Sequence, residues 1–384
     1  ASLARWRAKR RGIEGHFLVS HSTALARALD LDRARRGSEF TEWDGKAHAA
    51  AGRSRQLAVG GVLSASRLEK WARCPFGYYL TYVLRLSVLE TPEEITAISA
   101  LDRGTLMHSI LERLVRESGV AGDLPDYGLP WNDRHVERAL AIAEDEFGQA
   151  EARGITGRAL LWDAAKEEMR QDLMLFLDED SRARAVDGLR PHRVEFRFGF
   201  NQAGSLSPIE LKLPGGVTLR FRGAVDRIDV DASGSRAMIT DYKSGSAFTY
   251  RDMGKDPLGK GKHLQLPVYA LAVRAAMGDA VDVSAQYWFI SSRAGFVRRE
   301  VNLAKEEGRF RQVVAAIASG IQAGVFPAHP GGPGRDQPEN CGYCGFLRIC
   351  PSDKDALWER KMASPELAAY TGLLEDAPGG EDEE

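Results

Sequence analysis

Residues 217–245 read VTLRFRGAVDRIDVDASGSRAMITDYKSG, and the reading of this stretch decides the fold. Val, Ile, Phe and Thr recur with alternation, the pattern of half-buried strands. The stretch closes on Asp241-Tyr242-Lys243 directly after the apolar run AMIT. On an extended strand residues i and i+2 share a face, roughly 6–7 Å apart, so Asp241 and Lys243 face one side and Tyr242 the other. One face then offers a carboxylate and an ammonium together. Upstream, Leu219, Phe221 and Val225 keep one parity whereas Ile228 and Val230 keep the other. A bulge or turn at that slip would bring Asp226 towards Asp241. Phosphodiester hydrolysis needs such a set, because carboxylate oxygens hold a hard divalent cation that polarises a phosphoryl oxygen and acidifies water. A lysine beside them orients that water or stabilises charge building on the phosphate. The plain alternative is an ion pair at a strand end, and the triplet alone does not decide between the two.

Working outward, HRVEFRFGF (192–200) reads as a further strand, in which Glu195 is a strand-edge charge. LPVYALAVRAAM (266–277) returns to helix, with Pro267 acceptable in its first turn. SAQYWFIS (284–291) and GFVRREV (295–301) read as a strand pair, and Glu306 to Ala323 as a helix. Before the strands, Ser66 and Glu69 form a capping box opening a helix that presents Cys74. TLMHSILERLVRES (105–118) reads as a second helix, and charged helical stretches run from Asn132 to about Ala152 and on to about Asp180. This order predicts an α/β fold: one core with a mixed central sheet flanked by helices and a helical insertion. The expected organisation is a basic appendage or linker over 1–60, a core domain over 61–352, and a helix with an acidic disordered tail over 353–384.

The chain has 384 residues, 43% hydrophobic and 28% charged, enough to bury a large core. No apolar run approaches a membrane span, and the opening ASLARWRAKRR lacks the hydrophobic stretch of a signal peptide, so a cytoplasmic location without membrane attachment is expected. A start without methionine is compatible with a fragment of a longer polypeptide and equally with processing. Residues Glu366–Glu384 hold seven acids and no Lys or Arg, so against the overall charge of −2 the rest of the chain carries +5. Such a body is compatible with gripping phosphates. Lys255, Lys260 and Lys262 lie on a Gly-rich loop where they could meet DNA phosphates; Arg222 and Arg227, and more weakly Arg220, Arg293, Arg298 and Arg299, could do the same. Gly254–Gly261 nearly spells a P-loop but ends in Gly where the magnesium-binding hydroxyl should stand, so no bound nucleotide is expected.

The four cysteines are Cys74, Cys341, Cys344 and Cys350, one distant residue followed by C-x2-C-x5-C. Four thiolates suit a [4Fe–4S] cluster or a tetrahedral zinc ion, and the spacing alone favours zinc, which short C-x2-C knuckles commonly bind. Disulfides are the bland alternative and do not suit a cytoplasmic chain.

GTLMHSILE, GAVDRID, ITDYKSG and QLPVY stand in the order of motifs of the RecB-like branch of the PD-(D/E)XK nucleases, which the chain resembles from about Leu63 to Pro351. The resemblance implies a restriction-endonuclease-like core and a Mg²⁺- or Mn²⁺-dependent deoxyribonuclease, acting from single- or double-stranded DNA ends in repair or recombination. It also implies that His108, Asp226 and Asp241 are metal ligands, with the Tyr242 carbonyl a further one, and that Lys243 is the catalytic lysine. Gln265 and Tyr269 match the family's Q-x-x-x-Y motif, one helical turn apart and so able to share a face beside the site. Cys74-Pro75 and Cys350-Pro351 resemble the iron–sulfur staple of the AddB-type and Cas4-type nucleases, which favours the [4Fe–4S] cluster. Such a cluster would close a loop of some 270 residues. Domains of this kind accompany the helicases of the RecBCD, AddAB and AdnAB group, which implies a helicase subunit or a fused helicase as partner. Two other outcomes stay open: a catalytically inactive DNA-binding scaffold of the same fold, and a free-standing Cas4-like exonuclease of CRISPR adaptation.

Overall fold

In the computed structural model, residues 17–47, 61–88, 95–334, 336–342 and 344–375 are described. The basic opening, the segment 48–60 and the acidic end at 376–384, which the sequence marked as linker and tail, lie outside the described residues. In chain order the main elements begin with α1 (Thr23–Arg36), β1 (Val62–Leu63), α2 (Ala65–Arg73), α3 (Ala100–Ala121), α4 (Asp133–Ala152) and α5 (Ala159–Asp187). Five strands follow: β2 (Leu189–Phe198), β3 (Ile209–Lys212), β4 (Thr218–Phe221), β5 (Gly223–Asp231) and β6 (Arg236–Lys243). The order closes with α6 (Gln265–Met277), β7 (Asp282–Phe289), β8 (Arg298–Val301), α7 (Leu303–Gln322) and α8 (Lys354–Lys361). Among the described residues no helix is long and apolar enough to cross a membrane.

Contacts divide the chain into two compact units, residues 1–60 with 69–88 and 314–384, and residues 61–68 with 89–313. The first unit is assembled from three separate segments, and no linker composition marks such an arrangement.

The second unit holds a five-stranded mixed sheet ordered β2–β5–β6–β7–β8 and a three-stranded sheet ordered β1–β4–β3. β6 and β7 run parallel, so the chain needs a crossover between them, and α6 supplies it. On one face of the sheet, α3, α4 and α5 bury Ile110, Phe147 and Phe176 in a cluster with Tyr242 and Trp288. Phe176 stands edge-on to both of those rings, at 5.6 and 5.0 Å between centroids. The α3 sequence explains its place: Leu106, Met107, Ile110, Leu111, Leu114 and Val115 recur at helical spacing and are all buried. Ser99 caps its start by accepting from Asp102 N at 3.0 Å. α2 begins at Ala65, so Ser66 lies inside the helix rather than at its cap.

The parity change near Asp226 has a different cause from the expected bulge. Val225, Ile228 and Val230 all lie in β5, a strand covered on both faces: Val225, Arg227 and Asp229 are buried on one and Ile228 and Val230 on the other. The register irregularity lies in the neighbouring β2, between Pro191 and Arg193. β5 pairs Arg227 with Thr240 and Ile228 with Ile239 across β6. One further step of that antiparallel register sets Asp226 opposite Asp241.

In the first unit Trp71 is fully buried, donating from Nε1 to the Val325 carbonyl at 3.0 Å and meeting Tyr370 edge-on at 5.1 Å. Gly320 permits this packing, since a Cβ there would stand 2.4 Å from the Trp71 ring. Lys361 is equally enclosed, with its ammonium donating to Glu39 O at 2.6 Å and paired with Asp44 at 3.1 Å.

Candidate active site

Four elements of the second unit, α3, β5, β6 and α6, bring six of the sequence-selected residues to one end of the mixed sheet. The Tyr242 backbone N–H donates to Asp226 Oδ2 at 2.8 Å, which ties the end of β6 to β5 through a side chain rather than a ladder bond. His108 on α3 places Nδ1 3.4 Å from that same oxygen. Lys243 pairs with Asp241 on its own strand, as i, i+2 geometry allows, and donates to Gln265 Oε1 at 3.0 Å. Its Nζ also lies 4.9 Å from the centre of the Tyr287 ring. Tyr242 points to the opposite face, against His108 and Phe176. Tyr269 is buried one turn beyond Gln265, edge-on to Phe198.

Two motif glycines are explained by close approaches. A Cβ on Gly104 would meet Ser244 Oγ at 2.5 Å, so a side chain there would force the Ser244 hydroxyl to move from its place just after Lys243. A Cβ on Gly223 would meet Phe198 and Tyr269 ring carbons at 2.8 and 2.9 Å, so that glycine seats the tyrosine of the Q-x-x-x-Y pair.

The site is electrostatically strained in a useful sense. Burial pushes the Asp241 carboxyl up, the Lys243 ammonium pulls it down, Asp226 pushes it up again, and the balance is raised. For His108 burial opposes the charged ring, yet Asp226 and Asp241 together outweigh burial and hold its proton above the ordinary pKa. Lys243 behaves alike: burial lowers it, and Asp241, Tyr250 and Asp226 raise it overall. The cluster therefore sets two carboxylates beside a lysine and an imidazole whose protons they help to hold.

Two carboxylates and an imidazole are donors that a hard divalent ion accepts. Asp241 Oδ2 is buried without a hydrogen bond of good geometry, although the Lys243 ammonium pairs with it. Among the described residues no three His, Cys, Asp or Glu side chains stand in a coordinating array as folded here. The donor set fits such an ion by its chemistry, with the Lys243 ammonium now holding the charge position beside Asp241.

Arg227 needs correction as a DNA contact. It is 1% exposed and donates to Asp229 Oδ1 at 2.6 Å and to the Tyr242 hydroxyl at 3.2 Å, with Asp180 Oδ1 at 2.8 Å. Asp180 in turn accepts from Arg184 Nε and Trp131 Nε1, at 2.9 and 2.7 Å. This buried ion network fixes Tyr242 from behind. Alternation alone could not reveal it, because a charged residue at an inward position reads as an outward one. Arg222 is exposed, 5.7 Å over the Phe200 ring. Lys255 is exposed and Lys260 and Lys262 half-buried on the connection between β6 and α6. Arg298 is engaged by Asp187 and Glu300, and Arg293 by Glu168.

Glu195 has a left-handed backbone, φ 47°, between Val194 and Phe196, which pair with Arg227 and Val225. On β2 it therefore stands between the partners of Arg227 and Val225, opposite Asp226 of β5, in a conformation that non-glycine residues seldom adopt. Sequence pattern overlooked Tyr287 and Tyr250, which wall Lys243, since aromatics in such positions read as ordinary core.

All four cysteines lie in the first unit and none forms a disulfide. Burial raises the Cys74 thiol, backbone groups of Gly77 and His329 pull it down, and Cys344 pushes it up. Cys350 is pushed up to about 11, first by burial and then by Cys74. Burial also raises Cys341, with Cys74 and Cys344 adding to it. The thiols are thus near enough to act on one another.

A mixed sheet flanked by helices, with paired aspartates and a lysine at one strand end, defines a nuclease-type core. Residues 62–351 match the PD-(D/E)XK nuclease superfamily, and the chain belongs to it. Members of that superfamily generally use divalent metals. Among similar proteins is an ATP-dependent helicase/deoxyribonuclease subunit of Symbiobacterium thermophilum, 32% identical over 286 residues, covering 70% of this chain and 23% of that one. The helicase/deoxyribonuclease subunits of the same name from Clostridium tetani and Clostridioides difficile are 27% and 28% identical over 223 and 230 residues. Those matches cover 57% and 59% of this chain and 18% of each relative. The chain spans about a fifth of the length of these relatives.

Proposed function

We propose that this chain is a divalent-metal-dependent DNA nuclease that hydrolyses phosphodiester bonds as an exonuclease at DNA ends, in repair or recombination. The observation that carries this reading is the gathering of His108, Asp226, Asp241 and Lys243 at one sheet end in a member of a nuclease superfamily. His108, Asp226 and Asp241, with the Tyr242 carbonyl, would hold Mg²⁺ or Mn²⁺. That ion would supply Lewis acidity to the phosphodiester and acidify an attacking water. Lys243 then has two tasks: its ammonium neutralises Asp241 before substrate binds, and it donates to a phosphate oxygen or to the water as charge builds. Gln265 aims the ammonium by accepting from it at 3.0 Å. Tyr269 steadies the helix that carries Gln265, and the buried Arg227 network holds the strand from the other face.

The four cysteines would hold a [4Fe–4S] cluster whose role is structural, tying the Cys74 segment to the C-terminal triplet. Lys255, Lys260, Lys262 and Arg222 would contact DNA phosphates. The relatives' name supports a further step: the chain works beside an ATP-driven helicase, in a partner subunit or in the same polypeptide. The test is degradation of end-labelled linear DNA with Mg²⁺ or Mn²⁺, with and without blocked ends. Asp241→Ala and Lys243→Ala should each abolish cleavage while leaving the protein folded. Cleavage surviving either change would remove the mechanism.

A further inference from the structure

The connection that follows Lys243 is built as an anchored turn with an unusual outer surface. Ser246 caps it by accepting from Phe248 N at 3.2 Å, and a 3-10 helix runs over Ala247–Gly254. Tyr250 anchors the inner side: its ring stacks on His263 at 4.4 Å and meets Tyr287 and Phe289 edge-on at 4.9 and 5.3 Å. Tyr287 is the ring that lies beneath the Lys243 ammonium. Gly259 tightens the same packing, because a Cβ there would stand 2.2 Å from the His263 ring. The turn is therefore held rigidly to the wall of the catalytic lysine.

Its outer side is the reverse of what burial favours. Phe248 is 66% exposed, more than any other aromatic side chain among the described residues. The Arg251 guanidinium lies 3.9 Å from its ring centre. A cation stacked on one face of an exposed ring leaves the other face open to a flat π-system. Arg251 is also paired with the exposed Asp252 at 3.3 Å, which holds the guanidinium in place, and Lys255 is exposed a few residues on.

We propose that Phe248 and Arg251 form a stacking platform for an unpaired base of single-stranded DNA entering the site. This rests on the nuclease reading and specifies its substrate. A base in a duplex has both faces occupied by its neighbours and cannot take up the ring without being pulled out, whereas an unpaired base can. Arg251 adds charge next to the backbone of the same nucleotide. The site would thus prefer a frayed or unwound end to a blunt one.

The test is binding of a fluorescein-labelled oligothymidylate and of a blunt duplex of equal length, read by anisotropy in chelator so that no cleavage occurs. Phe248→Ala should raise the Kd for the single strand about tenfold, the range of one lost base–aromatic stack, and change duplex binding less than about twofold. Phe248→Trp should restore or tighten single-strand binding, and Phe248→Leu, which keeps the bulk but loses the π-face, should not. In the presence of metal, Phe248→Ala should raise KM for single strands with kcat held. Equal losses on both substrates, or no loss on the single strand, would overturn the platform. Neither outcome touches the nuclease reading, which fails separately if the wild type shows no divalent-dependent cleavage.

Discussion

Arg227→Met tests the interior of the fold most sharply, because it removes one cation from a cluster that has no access to water. Arg227, Asp180 and Asp229 are all 3% exposed or less. Asp180 would keep Arg184 and Trp131, but Asp229 would lose the guanidinium that now meets both of its oxygens. Breaking a buried pair from one side costs about 3–5 kcal/mol, since a buried charge is left uncompensated. For a unit of this size that corresponds to a fall in Tm of roughly 6–20 °C. The pH dependence has a definite sign. Burial already raises the Asp229 carboxyl above its ordinary value despite Arg227, and without Arg227 it must rise further. A carboxyl whose folded pKa exceeds its unfolded value binds more protons when folded, so acid relieves the damage. Urea unfolding of the variant should therefore show the full loss at pH 7 and a smaller loss at pH 5. The exposed Arg222→Met should change stability by less than about 0.5 kcal/mol. A loss under about 1 kcal/mol for Arg227→Met at pH 7 would refute the buried-network argument.

Gly320→Ala should destabilise by about 1–3 kcal/mol by calorimetry, against the gain that alanine normally brings within a helix, because the new Cβ meets the buried Trp71 ring. Divalent affinity should rise with pH through the raised His108 pKa, since binding must displace a proton that Asp226 and Asp241 hold; His108→Asn should flatten the dependence in Mn²⁺ titrations at several pH values. Protein purified without oxygen should be brown with about four iron atoms per chain, and Cys74→Ser should lose both colour and iron. A colourless protein carrying one zinc ion would reverse that assignment.

The α/β order and the mixed sheet were legible because strands and helices carry different periods, and DYK could be placed at a strand end from the apolar run before it. Pairing of Asp241 with Lys243 and the opposite aim of Tyr242 follow from the strand period alone. What remained hidden is what crosses between elements. The approach of Asp226 depends on the β5–β6 register, and the parity slip that hinted at it marks a strand buried on both faces. Arg227 looked like a surface cation because its partner Asp180 comes from a helix far away in sequence. Tyr250 was missed for the same reason, since its meaning lies in the ring beneath Lys243 and not in the loop that carries it. The glycines of the motifs were visible as letters, but only the distances at Gly104 and Gly223 say what they make room for.

The account turns on three side chains from two strands and a helix acting as one cation site. Calorimetric titration of Mn²⁺ into the chain measures this directly. The wild type should bind about one ion per chain at high affinity, and Asp226→Ala and Asp241→Ala should each abolish that binding with the fold intact. Unchanged Mn²⁺ binding in either variant would contradict it.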